Sequence, residues 1–339
     1  MRVALVGLDS FHFAQAYAAR LRRLPEAEPA GCCTLGVSDA EIAANCGQTA
    51  AAFGSRHGFA VYRDLAALLS AERPDAAVLT TRPSRAGAVA AALARRGVHV
   101  FLAKPGVTEV SAAEAVREAA AHNGACVAAG LTARLHPMAA WAALRIGAGD
   151  IGRPVALRVA HQHGHLGAWP PGCWYFDAAE GGPALFLGWY VVDLARWLGG
   201  SSVSDLLGCA AHLVDTASPF PDFYKAVGRT ASGALLSLEV HFGVRFPWPA
   251  FAVEVIGDRG GVIVSDRPYA GRLFAVGGHE ETFSAEPADL EAAELRDWLA
   301  ACADAGRRPF FDGDDLVETL RACGRLKAAT GEWQRAERP

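Results

Sequence analysis

Apolar and polar positions follow two different rhythms along this chain, and the change falls near residue 130. Before it, short apolar runs are separated by stretches of helical period. Val3 to Val6 is a buried-type strand, followed by Phe13, Tyr17 and Leu21 at helical spacing. Gly31 to Val37, Ala76 to Thr80, Val98 to Leu102 and Ala125 to Ala129 read as further strands. A helix carrying Val89 and Leu93 closes at Gly97. Ser111-Ala-Ala-Glu114 reads as the capping box of another, which stops at Asn123-Gly124. Strands alternating with helices in this way predict a parallel, doubly wound sheet over residues 1–130.

After residue 130 the strand-like runs lengthen. A helix from His136-Pro137 to about Gly147 leads into a turn at Asp150 to Pro154. Then come Val155 to His161, Val203 to Leu213, Tyr224 to Thr230, Ala234 to Phe242, Phe251 to Ile256 and Val262 to Ser265, most of them divided by Gly, Pro, Asp or Ser turns. That pattern predicts a predominantly antiparallel sheet. One helix, Trp189 to Leu198, interrupts the series. Two more close the chain, marked by Leu295, Trp298, Leu299 and Cys302, then by Leu316, Leu320 and Cys323. Residues 131–339 therefore read as a second, α+β domain.

Composition narrows the function. At 339 residues, 52% hydrophobic and 20% charged, the chain has the balance of a globular enzyme and room for two domains. A formal net charge of -4 leaves no basic footprint for nucleic acid or an anionic membrane. No apolar run approaches the roughly 18 residues needed to span a bilayer. The start MRVALVG enters a strand directly, so the expected address is cytoplasmic. Eight cysteines are scattered without a C-x-x-C pair, which predicts reduced thiols rather than disulfides or structural zinc.

The chemistry begins at VALVGLDSFH, where a first strand turns into a first helix. A dinucleotide turn carries three glycines, for the tight turn, the approach of the pyrophosphate and close helix packing. Here only Gly7 remains, with Asp9 and His12 at the other two positions. A carboxylate about 4 Å from a phosphate charge repels it by roughly 1 kcal/mol in water and about 4 kcal/mol at an effective dielectric of 20. Asp9 either stands near the phosphates, points to solvent, or caps the helix, and Ser10 offers a hydroxyl beside it. Asp39, after the second strand, is the candidate for the ribose hydroxyls and favours NAD over NADP. Farther on, His161, His163 and His165 share one face if their strand continues. No acidic or cysteine partner at ligand spacing accompanies them. His163 and His165 are read as pocket-lining groups, and no metal is expected.

Four stretches together resemble the glucose–fructose oxidoreductase / inositol dehydrogenase / MocA family. They are VALVGLDSFH; HVFLAKP, with Ala103 in place of the usual Glu before Lys104-Pro105; GLTARLHPMAAWAALRIGAGDIGRPVALRV; and EGGPALFLGWYVVDLARWLGG. The resemblance implies an N-terminal Rossmann doubly wound parallel sheet plus a C-terminal α+β domain with a large, mostly antiparallel open sheet. It implies an NAD(P)-dependent oxidoreductase acting on a sugar, cyclitol or related polyol. The cofactor would lie against Gly7, Asp9, Ser10, Asp39, Thr80, Thr81, Pro83 and Lys104. Lys104 and Tyr190 would assist proton transfer, with Tyr190 where the family usually has His. Phe186 stands where an Asp is usual. Arg134, His163, His165, Trp174, Asp177 and Asp193 would contact substrate. A homodimer or homotetramer through the C-terminal sheet is also implied. Two other readings stay open: a lyase or glycosidase-type enzyme with retained NAD, and a non-catalytic dinucleotide- or sugar-binding protein.

Overall fold

The computed structural model describes residues 1–9, 12–164, 174–214, 218–244, 246 and 248–332. It comprises two units: Met1–Thr132 with Asp289–Val317, and Ala133–Ala288 with the chain from Glu318 onward. The first unit runs β1 (Arg2–Val6), α1 (Phe13–Leu21), β2 (Glu28–Cys33), α2 (Asp39–Cys46), α3 (Ala50–His57), β3 (Val61–Tyr62), α4 (Leu65–Glu72), β4 (Ala76–Leu79), α5 (Pro83–Ala94), β5 (His99–Leu102), α6 (Val110–Asn123) and β6 (Val127–Ala129). All six strands are parallel, in the order β3-β2-β1-β4-β5-β6. The strand order reverses between β1 and β4, the switch point at which open α/β sheets bind ligands. Each of β4's four residues is buried, as the continuous apolar run AAVL requires of a strand covered on both faces.

Local sequence explains the helix starts. Ser38, Thr49 and Asp64 each accept a backbone N–H of the first turn of α2, α3 and α4, and Pro83 begins α5 with its φ already set. Two expectations shift. β2 ends at Cys33, not Val37, because Leu35 and Gly36 turn into the left-handed region at φ 54° and 75°. The box at Ser111 does not cap α6, which begins at Val110 behind Glu109 with no side-chain cap.

The domain boundary also moves. Residues 289–317, expected in the second domain, belong to the first unit, because α11 (Leu290–Ala303) buries Leu295, Trp298 and Leu299 there. The ring of Trp298 lies 5.5 Å from that of Phe101 on β5.

The second unit holds α7 (Thr132–Leu135, its first residue in the other unit), α8 (Pro137–Gly147), β7 (Pro154–Gly164), α9 (Gly182–Phe186), α10 (Gly188–Leu198), β8 (Val203–Ala211), β9 (Phe223–Thr230), β10 (Leu235–Val244), β11 (Phe251–Gly257), β12 (Gly260–Asp266), β13 (Tyr269–Ala275), β14 (His279–Ser284) and, after most of α12 (Gly313–Ala329), β15 (Thr330–Glu332). Its nine strands are ordered β14-β13-β12-β11-β7-β10-β9-β8-β15. Pairings are antiparallel except β7 with β10 and β8 with β15. α8 and α10 pack on this sheet, and Leu157, Val159 and His161 of β7 share one buried row. β13 and β14 escaped the sequence pattern because exposed charged residues such as Arg272 and Glu280 dilute their apolar alternation. Among the described residues no helix is long and apolar enough to cross a membrane.

Candidate functional site

At the switch point of the first unit, Gly7 takes φ 94° and its N–H donates to the Cys33 carbonyl at 2.8 Å. A Cβ on Gly7 would lie 2.5 Å from the backbone N of Thr81, so only glycine fits. The Thr80 hydroxyl donates to the Gly7 carbonyl, and Thr81 and Pro83 are buried beside the same turn. The surviving glycine thus locks β1 against the start of α5.

Asp9 is fully buried. Its Oδ2 lies 3.3 Å from Nη1 of Arg85 and 3.9 Å from Nε of Arg82, whose Nη2 reaches Glu41 at 2.8 Å. Burial pushes the Asp9 carboxyl above the usual range, while the Thr81 hydroxyl and the two guanidinium groups pull it back. The capping and solvent alternatives both fail. α1 starts behind His12, which makes no side-chain cap, and Asp9 faces inward. Ser10 lies outside the described residues. A buried carboxyl with two arginines beside it presents little bare negative charge at the turn, so these residues fit a dinucleotide phosphate despite the missing glycines.

Asp39 stands elsewhere than expected. It is exposed, opens α2 rather than ending β2, and one carboxylate oxygen accepts the Ala50 N–H at 3.0 Å. The carboxyl end of β2 carries Cys33 and Thr34, not an acid.

Lys104 follows β5 at the carboxyl edge of the sheet and is partly exposed. Burial pushes its ammonium down to about 7, opposed by the Glu294 carboxylate. Glu294 comes from α11 and is fully buried, with the Tyr17 hydroxyl donating to its Oε1. Burial pushes this carboxyl up to about 8. Neither Tyr17 nor Glu294 was singled out from sequence. A signal existed: Glu294, Trp298 and Cys302 recur at four-residue intervals, placing an acid on an apolar helix face.

In the second unit, the Tyr190 ring on α10 lies 4.9 Å from that of His161 and 5.5 Å, edge-on, from that of Phe251. His161 is 4.2 Å from Phe251, its cross-strand partner, and 6.2 Å from the exposed His163. His136 is buried against Phe251 and Tyr269 at 5.1 and 5.7 Å. Tyr190 and His163 thus share an aromatic, imidazole-rich patch at the end of β7. His165 lies outside the described residues, and among those described no three metal-ligating side chains gather.

Four residues expected to contact substrate have other surroundings. Trp174 is 2% exposed and stacks on Tyr175 at 4.3 Å and edge-on against Phe186 at 5.3 Å. Phe186, at the family's Asp position, is therefore core. Asp177 is exposed and accepts the Ala179 N–H at 2.9 Å, capping a short 3₁₀ turn. Arg134 and Asp193 are both buried in one bidentate pair, Nε and Nη2 to the two carboxylate oxygens at 2.7 Å each. Arg196 and the Thr319 hydroxyl donate to the same carboxylate at 3.1 and 3.0 Å. A carboxylate with that many donors, out of reach of water, anchors helices rather than lining a cleft.

Residues 1–131 match the family model described as an oxidoreductase family with an NAD-binding Rossmann fold, and residues 141–263 match its GFO/IDH/MocA C-terminal domain. No curated protein is significantly similar in sequence. Among solved structures, UDP-N-acetylglucosamine 3-dehydrogenase GnnA from Acidithiobacillus ferrooxidans is similar at 21% identity and TM-score 0.79, covering 97% of each chain. An aldose-aldose oxidoreductase from Caulobacter crescentus complexed with glycerol is 20% identical at TM-score 0.78, also over 97% of each chain. An oxidoreductase from Agrobacterium radiobacter, in complex with NAD+, L-tartaric acid and magnesium, is 17% identical at TM-score 0.80, over 97% of this chain and 96% of that one. With both family models matched in order along a parallel Rossmann sheet and a large, mostly antiparallel one, the chain belongs to the Gfo/Idh/MocA family of oxidoreductases.

Proposed function

We propose that this chain is an NAD(P)-dependent dehydrogenase or reductase of a sugar, cyclitol or related polyol, acting in the cytoplasm. The observation that carries the reading is Lys104. It stands partly exposed at the carboxyl edge of the parallel sheet, and burial brings its ammonium to about 7, where it can give up and regain a proton near neutrality. The bound nicotinamide supplies the hydride acceptor or donor. Lys104 hydrogen-bonds the substrate oxygen and holds or releases its proton. Tyr190 is the second proton-carrying group, its ring held between His161 and Phe251. His163, exposed beside them, offers an imidazole to a substrate hydroxyl. The sugar-related names of the GnnA and aldose-aldose structures support the substrate class. With Phe186 in the core, the reaction runs without the carboxylate usual at that position.

The chain self-associates through its second sheet. Leu207, Val227, Leu235, Ile256 and Ile263 on five of its strands are exposed, an apolar set that a second copy would cover. Light scattering that finds a dimer or tetramer supports this, and a monomer overturns it. The central test titrates cofactor-stripped protein with NADH and NADPH, following nicotinamide fluorescence. Micromolar binding supports the dehydrogenase. No binding up to millimolar overturns it.

A further inference from the structure

A turn that meets phosphates presents its backbone N–H groups to the crevice. Here Leu8 and Asp9, which follow Gly7, are both fully buried, and α2 lies against them. The Cys46 thiol at the end of α2 donates to the Leu8 carbonyl at 3.0 Å, and the Gln15 amide of α1 donates to the Cys46 carbonyl. At the other wall of the switch point, Arg82, just ahead of α5, reaches Glu41 in the first turn of α2 at 2.8 Å. One short helix is therefore tied to the β1 turn and to the β4 turn at once. We infer that α2 is a strap across the phosphate end of the crevice, held shut by Glu41 through Arg82, and that it must move aside before a dinucleotide can reach the turn. The inference rests on the reading of that turn as a cofactor site.

The helix has little holding it apart from these ties. Its eight residues are too few for a helix to be stable by itself in water, and only Ile42 and Cys46 among them are buried. Left-handed residues bracket it, Leu35 and Gly36 at φ 54° and 75° before it and Gly47 at 70° after it. Positions at the ends of an element absorb the backbone rotation of a hinge. The ion pair is also exchangeable. Glu41 and Arg82 are both partly exposed, with side chains 32% and 23% accessible. Nε of Arg82 is buried with no hydrogen-bond partner among the described residues and stands 3.9 Å from the Asp9 carboxylate. Once Glu41 lets go, the planar fork of Arg82 can turn to a phosphate, whose oxygens it matches two at a time.

Cys46 reports the position of the strap. Burial, with the Asp9 carboxylate beside it, pushes its thiol up to about 12, so it reacts slowly while covered. In full-length, cofactor-stripped protein, labelling of Cys46 by N-ethylmaleimide is followed by peptide mass spectrometry, with the buried Cys32 and Cys323 as references. Glu41→Gln should speed labelling of Cys46 alone by roughly two- to fivefold, the worth of a surface ion pair. It should tighten NADH or NADPH in the fluorescence titration by a similar factor, because less of the protein is closed. Glu41→Asp keeps the charge but shortens the reach, and should move both readouts in the same direction. Unchanged labelling in Glu41→Gln overturns the inference. So does unchanged or weaker binding of a nucleotide that the wild type binds, or tightening in Glu41→Gln without any in Glu41→Asp, which would be the effect of charge on the phosphates alone. If labelling quickens and neither nucleotide binds wild type or variants, α2 stands as a movable strap and the dinucleotide reading of the turn falls.

Discussion

Two fully buried carboxylates, Asp193 in the second unit and Glu294 in the first, meet opposite treatment. Asp193 receives the fork of Arg134, a further N–H from Arg196 and the Thr319 hydroxyl. Glu294 is met by the Tyr17 hydroxyl and the Leu131 backbone, with no charged donor hydrogen-bonded to it among the described residues, and burial raises its carboxyl to about 8. Burial alone therefore says nothing about role. The number and charge of the donors decide whether a buried acid becomes a fixed anchor or a group poised to change its proton.

That contrast can be broken first at its structural side. Asp193→Ala leaves Arg134 buried and uncompensated, and such losses cost about 3–5 kcal/mol. Urea unfolding should show the second unit giving way at much lower denaturant, and a change under about 1 kcal/mol would mean that the pair contributes little. On the chemical side, Lys104→Ala should lower turnover by roughly 10²- to 10⁴-fold while NADH binding stays within a few-fold. Steady-state kinetics beside the fluorescence titration would show this, and equal loss of both would return Lys104 to a cofactor-holding role. The smallest effect concerns His136, which burial keeps below its usual pKa against the pull of Asp266. A depressed histidine contributes stability that is complete above about 6.5 and lost as pH falls through its folded pKa. His136→Gln should flatten the acid loss of stability below pH 6.5 in thermal melts. An unchanged slope would place that loss on another group.

Much of the architecture was readable in advance, because it follows from neighbours a few positions apart. The alternation of β1, β4 and β5 with helices, the proline that opens α5 and the turn-divided strands of the second sheet are all local patterns. The failures were local as well. Ser111-x-x-Glu114 has the capping signature, yet α6 begins before it, and the charged edge strands β13 and β14 hid their period. The site was harder to read. Lys104 and Tyr190 stand in motifs, but motif position gave Arg134 and Asp193 a cleft that burial and mutual pairing deny them. Trp174 went the same way, into the aromatic core around Phe186. Asp9 shows the reverse: a charge that threatened the phosphate turn from sequence is buried beside Arg82 and Arg85.

The sequence by itself determined the layers, the single glycine that the close approach of Thr81 demands and the lysine at the end of β5, since each is set by backbone geometry and periodicity within one segment. Only the tertiary structure decided which charges face one another. Desolvation and Coulomb attraction depend on distance in space, so Arg134 had to meet Asp193 across the fold before either could be read as an anchor.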